Sequence, residues 1–235
     1  MTTRRTLALL ALLGAGALAF SGCASTPAAP GASGGSDDSS TELEVDAAWL
    51  DGGRMVAIVT QGSSTCVPTA SSVTLQADGS VAVTLEDPAG DTACTRDLVP
   101  RATGVQLPEG ANGDNELELV VTYGDMRGDT DLDAYSGGPV EEYAPSAGWI
   151  DDGQFALLTW GSSSCAPMVQ DATVEGGNQI TVTFTDPPAD QVCTADMAPR
   201  VTLVAVDGVD DDVVDLALTG GGAEFATPVK LEVVG

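Results

Sequence analysis

Apolar residues along much of this chain recur at every second position. Val81, Val83 and Leu85 alternate with Ala82, Thr84 and Glu86, and Ile180, Val182 and Phe184 alternate with Thr181, Thr183 and Thr185. A period of two puts one set of side chains on a single face, so each run predicts a half-buried strand. Further strands are predicted at 54–60, 72–77, 99–107 and 116–123, then at 154–160, 172–175, 198–206 and 213–219, with 226–233 last. Beyond residue 22 no stretch holds a helical period over three turns. Ala77-Asp78-Gly79 and Gly176-Gly177-Asn178 supply the turn residues that tolerate positive φ between antiparallel strands.

The pattern occurs twice. Sliding the chain on itself by 99 residues aligns 56–101 with 155–200 without a gap, and 18 of those 46 positions are identical. Unrelated sequences would share about 3. Gly62-Ser63-Ser64-Thr65-Cys66-Val67-Pro68 returns as Gly161-Ser162-Ser163-Ser164-Cys165-Ala166-Pro167. Asp87-Pro88, Asp91, Cys94-Thr95, Asp97 and Pro100-Arg101 return as Asp186-Pro187, Asp190, Cys193-Thr194, Asp196 and Pro199-Arg200. With one residue of slack, Trp49-Leu50-Asp51 matches Trp149-Ile150-Asp151. A duplication follows: β repeats over 42–124 and 142–235, joined by an acidic linker at 125–141.

Four cysteines fall as Cys66/Cys94 and Cys165/Cys193, 28 apart in both copies, so pairing within each repeat is the simplest of three connectivities. Repeats of this size have marginal cores, which a disulfide strengthens. The expected fold is all-β: two tandem small antiparallel β-sandwich or barrel-like repeats, each with one internal disulfide. Trp49 and Trp149 are expected as core plugs near those disulfides. Arg101 and Arg200 are expected to pair with Asp87 or Asp97 and with Asp186 or Asp196.

The fifth cysteine has a different setting. A basic start (MTTRR) leads into fifteen apolar or small residues at 6–20, and Phe20-Ser21-Gly22-Cys23 closes the segment. This resembles a bacterial lipoprotein signal peptide, with Phe20 where that family commonly has Leu. Fifteen residues rise only about 22 Å as a helix, short of a ~30 Å hydrocarbon core. The resemblance implies a signal peptide at 1–22, cleavage before Cys23, and fatty acylation (palmitate) of its thiol. It also implies an extracytoplasmic protein tied to the cell membrane. Arg4-Arg5 looks like a twin-arginine export signal and equally like an ordinary basic start. Residues 23–41 then read as a lipidated cysteine and a disordered linker, since 24–41 contain no large apolar side chain.

Composition narrows function by exclusion. The chain carries 8 Lys+Arg against 35 Asp+Glu, a net charge of −27, with no histidine. That sign repels phosphate backbones, so no nucleic-acid partner is expected. Without histidine there is no Ser-His-Asp or Cys-His catalysis and no imidazole acid or base. Removing 1–22 leaves six cations against 35 acids, a net −29, so attachment to a membrane would rest on the lipid rather than on charge.

The remaining constellations each have a plain reading. Gly161-Ser162-Ser163-Ser164-Cys165 faintly resembles a nucleophile elbow but reads as a hydroxyl-rich turn entering a disulfide. The pairs Asp87/Asp91 and Asp186/Asp190 offer a histidine-free hydrolase two carboxylates, and equally serve as turn groups beside proline. No cofactor is expected unless calcium binds. Asp129, Asp131 and Asp133 begin like an EF-hand loop, but Ala134 stands where Gly is needed and Val140 where Glu is needed. Gly208-Val209-Asp210-Asp211-Asp212 adds acids without a ligand period. Arg127-Gly128-Asp129 spells an adhesion tripeptide. Trp160 replaces Gln61 of the first copy and is either a ligand platform or a core residue. The expected role is a non-catalytic binding or envelope spacer module with a protein or glycan ligand. The alternatives are the carboxylate hydrolase and calcium-dependent adhesion.

Overall fold

The runs MVAIVTQG and QFALLTWG are apolar on both faces, which suits strands covered from two sides. The computed structural model describes residues 41–235 apart from 91–92, 152, 176–177 and 210–213. The first repeat holds β1 (Thr41–Glu42), β2 (Asp46–Leu50), β3 (Met55–Gly62), β4 (Thr69–Leu75), β5 (Val81–Glu86), β6 (Val99–Gln106), β7 (Leu117–Tyr123) and β8 (Met126–Leu132). The second holds β9 (Ser146–Asp151), β10 (Gln154–Gly161), β11 (Val169–Glu175), β12 (Gln179–Phe184), β13 (Ala198–Ala205), β14 (Val214–Gly220) and β15 (Phe225–Val234). The described residues are all-β with two disulfides. Cys66–Cys94 and Cys165–Cys193 both form within a repeat, with Cα atoms 5.5 and 5.6 Å apart. No helix among the described residues is long and apolar enough to cross a membrane.

The duplication extends to strand pairing. The first repeat forms one sheet in the order β1-β8-β7-β5-β4 and another in the order β2-β3-β6. The second repeats β4-β5-β7-β8 as β11-β12-β14-β15 and β2-β3-β6 as β9-β10-β13, and the end of β15 pairs in parallel with β9 to join them into one seven-stranded sheet. A bulge falls at Ala70/Ser72 and again at the equivalent Val169/Asp171. The sheets are not purely antiparallel as expected, because β5 pairs with β7, and β12 with β14, in parallel. Residues 126–132, expected in the linker, are the strand β8 on β7.

Three apolar cores define four layers. One lies within the first repeat around Val56, Ile58, Val83, Leu119 and Val121, and one within the second around Phe155, Leu157, Val182, Leu216 and Leu218. The third contains Ala48, Leu50, Met55, Ala57, Ala156 and Leu158, which belong to β2 and β3 of one copy and β10 of the other. The repeats are therefore stacked layer on layer, and are not the free-standing sandwich or barrel-like repeats expected, because β2, β3 and β10 bury a second face against the other copy. This third core is why β3 and β10 lack alternation.

The seam is reciprocal. Gly148, equivalent to Ala48, lies against it so closely that a Cβ would fall 2.3 Å from the Trp49 carbonyl oxygen. The Asp51 amide donates to Ser146 Oγ at 2.8 Å, and the equivalent positions Asp46 and Asp151 meet as neighbouring charges. Residue i touching the counterpart of j, and j that of i, is the signature of a two-fold contact. Strands β2 and β9 thus run oppositely, which sends the two disulfides to opposite ends of the seam. The connection after β8 is fastened: Tyr135 N donates to Gly113 O at 2.8 Å, and Arg54, bidentate on Asp51 at 2.7 and 3.0 Å, also donates to Val140 O at 3.1 Å.

Candidate functional site

Both disulfide ends are built from the same hydroxyl network. Ser63 Oγ lies 2.8 Å from Thr95 Oγ1, and the Ser64 amide donates to Asp97 Oδ1 at 3.1 Å. The second copy repeats both contacts at the same distances with Ser162–Thr194 and Ser163–Asp196. Thr95 and Thr194 also donate to these carboxylates. Hydrogen bonds from the serine and threonine donors hold Asp97 and Asp196 at a pKa of about 2. The Gly-Ser-Ser motif is accordingly a clamp between the loop after β3 or β10 and the loop before β6 or β13.

Beneath each clamp sits a buried arginine. Arg101 (5% exposed) donates to Cys66 O at 2.5 Å, and Arg200 (7% exposed) donates to Cys165 O at 3.1 Å and Trp160 O at 3.0 Å. Neither forms the expected ion pair: Asp97 and Asp196 accept from the clamps, Asp87 from the Tyr123 hydroxyl, and Asp186 from the Gly222 amide at 2.7 Å. Arg200 instead pairs with Glu224. Arg101 lies 5.6 Å from the centre of the Tyr123 ring, within cation–π range. In each arginine Nε finds no acceptor among the described residues.

The two ends differ in what covers the arginine. Tyr123 stands opposite Leu85 in the sheet, and the same register place in the second copy, opposite Phe184, is Gly220. Two residues, Gly124 and Asp125, join β7 to β8, whereas four, Gly221 to Glu224, join β14 to β15. The ring is lost, and the longer loop carries Glu224 back to Arg200. A cleft of about 390 Å³ lies there, with Arg200, Glu224 and Asp186 toward its polar side and Met168, Pro187 and Pro188 among its apolar walls. Met168 is 66% exposed and Val192, nearby in the loop, is 91% exposed. An apolar cleft with a few convergent polar groups is the usual form of a ligand site.

Other candidates fall elsewhere. Trp160 is half-buried against the seam core, edge-on to Tyr143 with ring centres 5.3 Å apart, so it is neither a free platform nor a full core plug. Asp129 and Asp131 stand at alternate positions of β8, about 6.6–6.8 Å apart along a strand, with Asp133 just past its end; a strand spreads ligands that a calcium loop would gather. Among the described residues no three acidic or cysteine side chains come together to hold a metal. Gly128 of the adhesion tripeptide is buried within β8 and does not present a loop. Trp49 and Trp149 are buried as expected but not beside the disulfides: Trp49 pairs with Val56 and donates to Asp133 O at 2.7 Å, and Trp149 packs edge-on to Phe155. Asp190 is exposed and is not part of the cleft wall that includes Asp186. Cys23, the 1–22 segment, Asp91, Gly176-Gly177 and Asp210 to Asp212 lie outside the described residues.

Glu224 and the Tyr123/Gly220 exchange escape a sequence reading because the gapless alignment ends at Arg101/Arg200. The signal is the triple glycine at 220–222, which stands against Tyr123-Gly124-Asp125 when the repeats are aligned past that point. The chain matches no protein-family model, no curated protein and no solved structure.

Proposed function

We propose that this chain is an exported lipoprotein, anchored through Cys23 at the extracytoplasmic face of the cell membrane, whose stacked β repeats serve as a non-catalytic binding module. The second copy carries the ligand site. One observation supports this most. Two ends that share clamp, disulfide and buried arginine differ in what stands over the arginine: the Tyr123 ring over Arg101, and a cleft with Glu224 at Arg200. A spacer has no need of that difference, whereas a binding module gains its site by it.

The anchoring is tested by fractionation. In cells fed labelled palmitate, the wild-type chain should carry label and sediment with membranes, and Cys23→Ser should lose both. Unlabelled wild type that stays soluble would overturn the anchor. The binding role is tested on the cleft itself.

A further inference from the structure

The first repeat shows what the cleft of the second is shaped to hold. Asp87 and Arg101 are bridged by one phenol: the ring of Tyr123 covers the guanidinium and its hydroxyl donates to the Asp87 carboxylate. Their counterparts Asp186 and Arg200 both line the cleft, and the residue at the Tyr123 register is Gly220. The tyrosine cannot simply be restored there, since Gly220 has φ 78° and a Cβ would lie 2.3 Å from Phe184 O.

We infer that the cleft of the second repeat binds a phenolic ring, in the place that Tyr123 fills in the first, with the ring against Arg200 and its hydroxyl on Asp186. This rests on the reading of the cleft as the ligand site. Asp186 keeps acceptor capacity, because a carboxylate offers about four lone-pair sites and Gly222 takes one. Met168, Pro187 and Pro188 give the ring edges apolar contact. A phenol is neutral at physiological pH, so a strongly acidic chain does not repel it as it would a carboxylate or phosphate. The two sources of such a ring are a tyrosine side chain in a peptide and a free phenol.

Calorimetric titration of the full-length chain in detergent micelles tests this. The probes are N-acetyl-tyrosinamide, N-acetyl-phenylalaninamide, N-acetyl-leucinamide and p-cresol. The tyrosine amide should bind one to one and about tenfold tighter than the phenylalanine amide, as expected for one hydrogen bond to a charged acceptor. Asp186→Asn should weaken it by a similar factor. Tyr123→Ala opens the equivalent place over Arg101 and should raise the stoichiometry from one to two. Tyrosine amide binding well above p-cresol points to a peptide source, and equal binding to a free phenol; either supports the phenol site. Equal affinity for the tyrosine and phenylalanine amides, or an unchanged Asp186→Asn, overturns the phenol assignment. If the leucine amide binds best, the cleft stands as a ligand site and the phenol does not. If no probe binds, the phenol site is overturned, and the binding-module reading loses its observation only if Asp186→Asn and wild type also behave alike toward a peptide library.

Discussion

Asp97 and Asp196 give the fold an acid-sensitive contribution. Each is held at a pKa of about 2 by hydroxyl and amide donors, below the value of about 3.9 for an unfolded aspartate. A folded pKa below the unfolded one means that acid protonates the unfolded chain first. The stability they contribute is therefore present above about pH 4 and lost as pH falls toward 2. Thermal melts at stepped pH should show this limb, and Asp97→Asn with Asp196→Asn should flatten it; an unaltered limb would remove the clamp from the account. Asp46 has the opposite sign. Loss of solvent at the seam, then Asp151 and Glu44, raises its pKa, so its charge opposes folding at neutral pH. Asp46→Asn should raise Tm at pH 7 and leave it unchanged near pH 3. The duplicated Asp97/Asp196 and Arg101/Arg200 were visible in the repeat. Their partners were not, because Glu224 reaches Arg200 across 24 residues on a loop that the first copy lacks.

At the scale of elements, the disulfides are equivalent and their removal should cost alike. A 28-residue separation corresponds to about 3–4 kcal/mol in the chain-entropy model. Cys66→Ser/Cys94→Ser and Cys165→Ser/Cys193→Ser should each lose about that much in denaturant unfolding. A loss confined to one pair would show that the ends are held differently. Strands with one dry face, such as β5 and β12, were legible from their alternation. Strands β2 and β9 were not, because DAAWL and SAGWID are small or apolar apart from one exposed aspartate each, as residues between two layers must be. Strand β8 was missed for the opposite reason. Its sequence MRGDTDL is polar enough to read as linker, and it is a strand because β7 and β1 supply its backbone partners on both sides.

The whole molecule depends on the seam. Internal duplication, reciprocal contacts and a third apolar core together describe two copies packed as a two-fold dimer is, with the chain after β8 as the tie. If that packing couples the copies, they unfold together, since neither inner sheet can keep its second face dry alone. Gly148→Val tests the coupling at its closest point, where added atoms meet the Trp49 carbonyl and the Ala48 methyl. Overpacking there should cost about 1–3 kcal/mol and separate one calorimetric transition into two. Gly138→Val is the control, because a Cβ at Gly138 meets nothing within 4 Å. It should change stability by no more than about 0.5 kcal/mol and leave one transition. Equal behaviour of the two variants would mean that each repeat stands by its own core, and the cleft over Arg200 would then answer to the second repeat alone. A split seen only with Gly148→Val would make both copies the folding unit that carries the cleft.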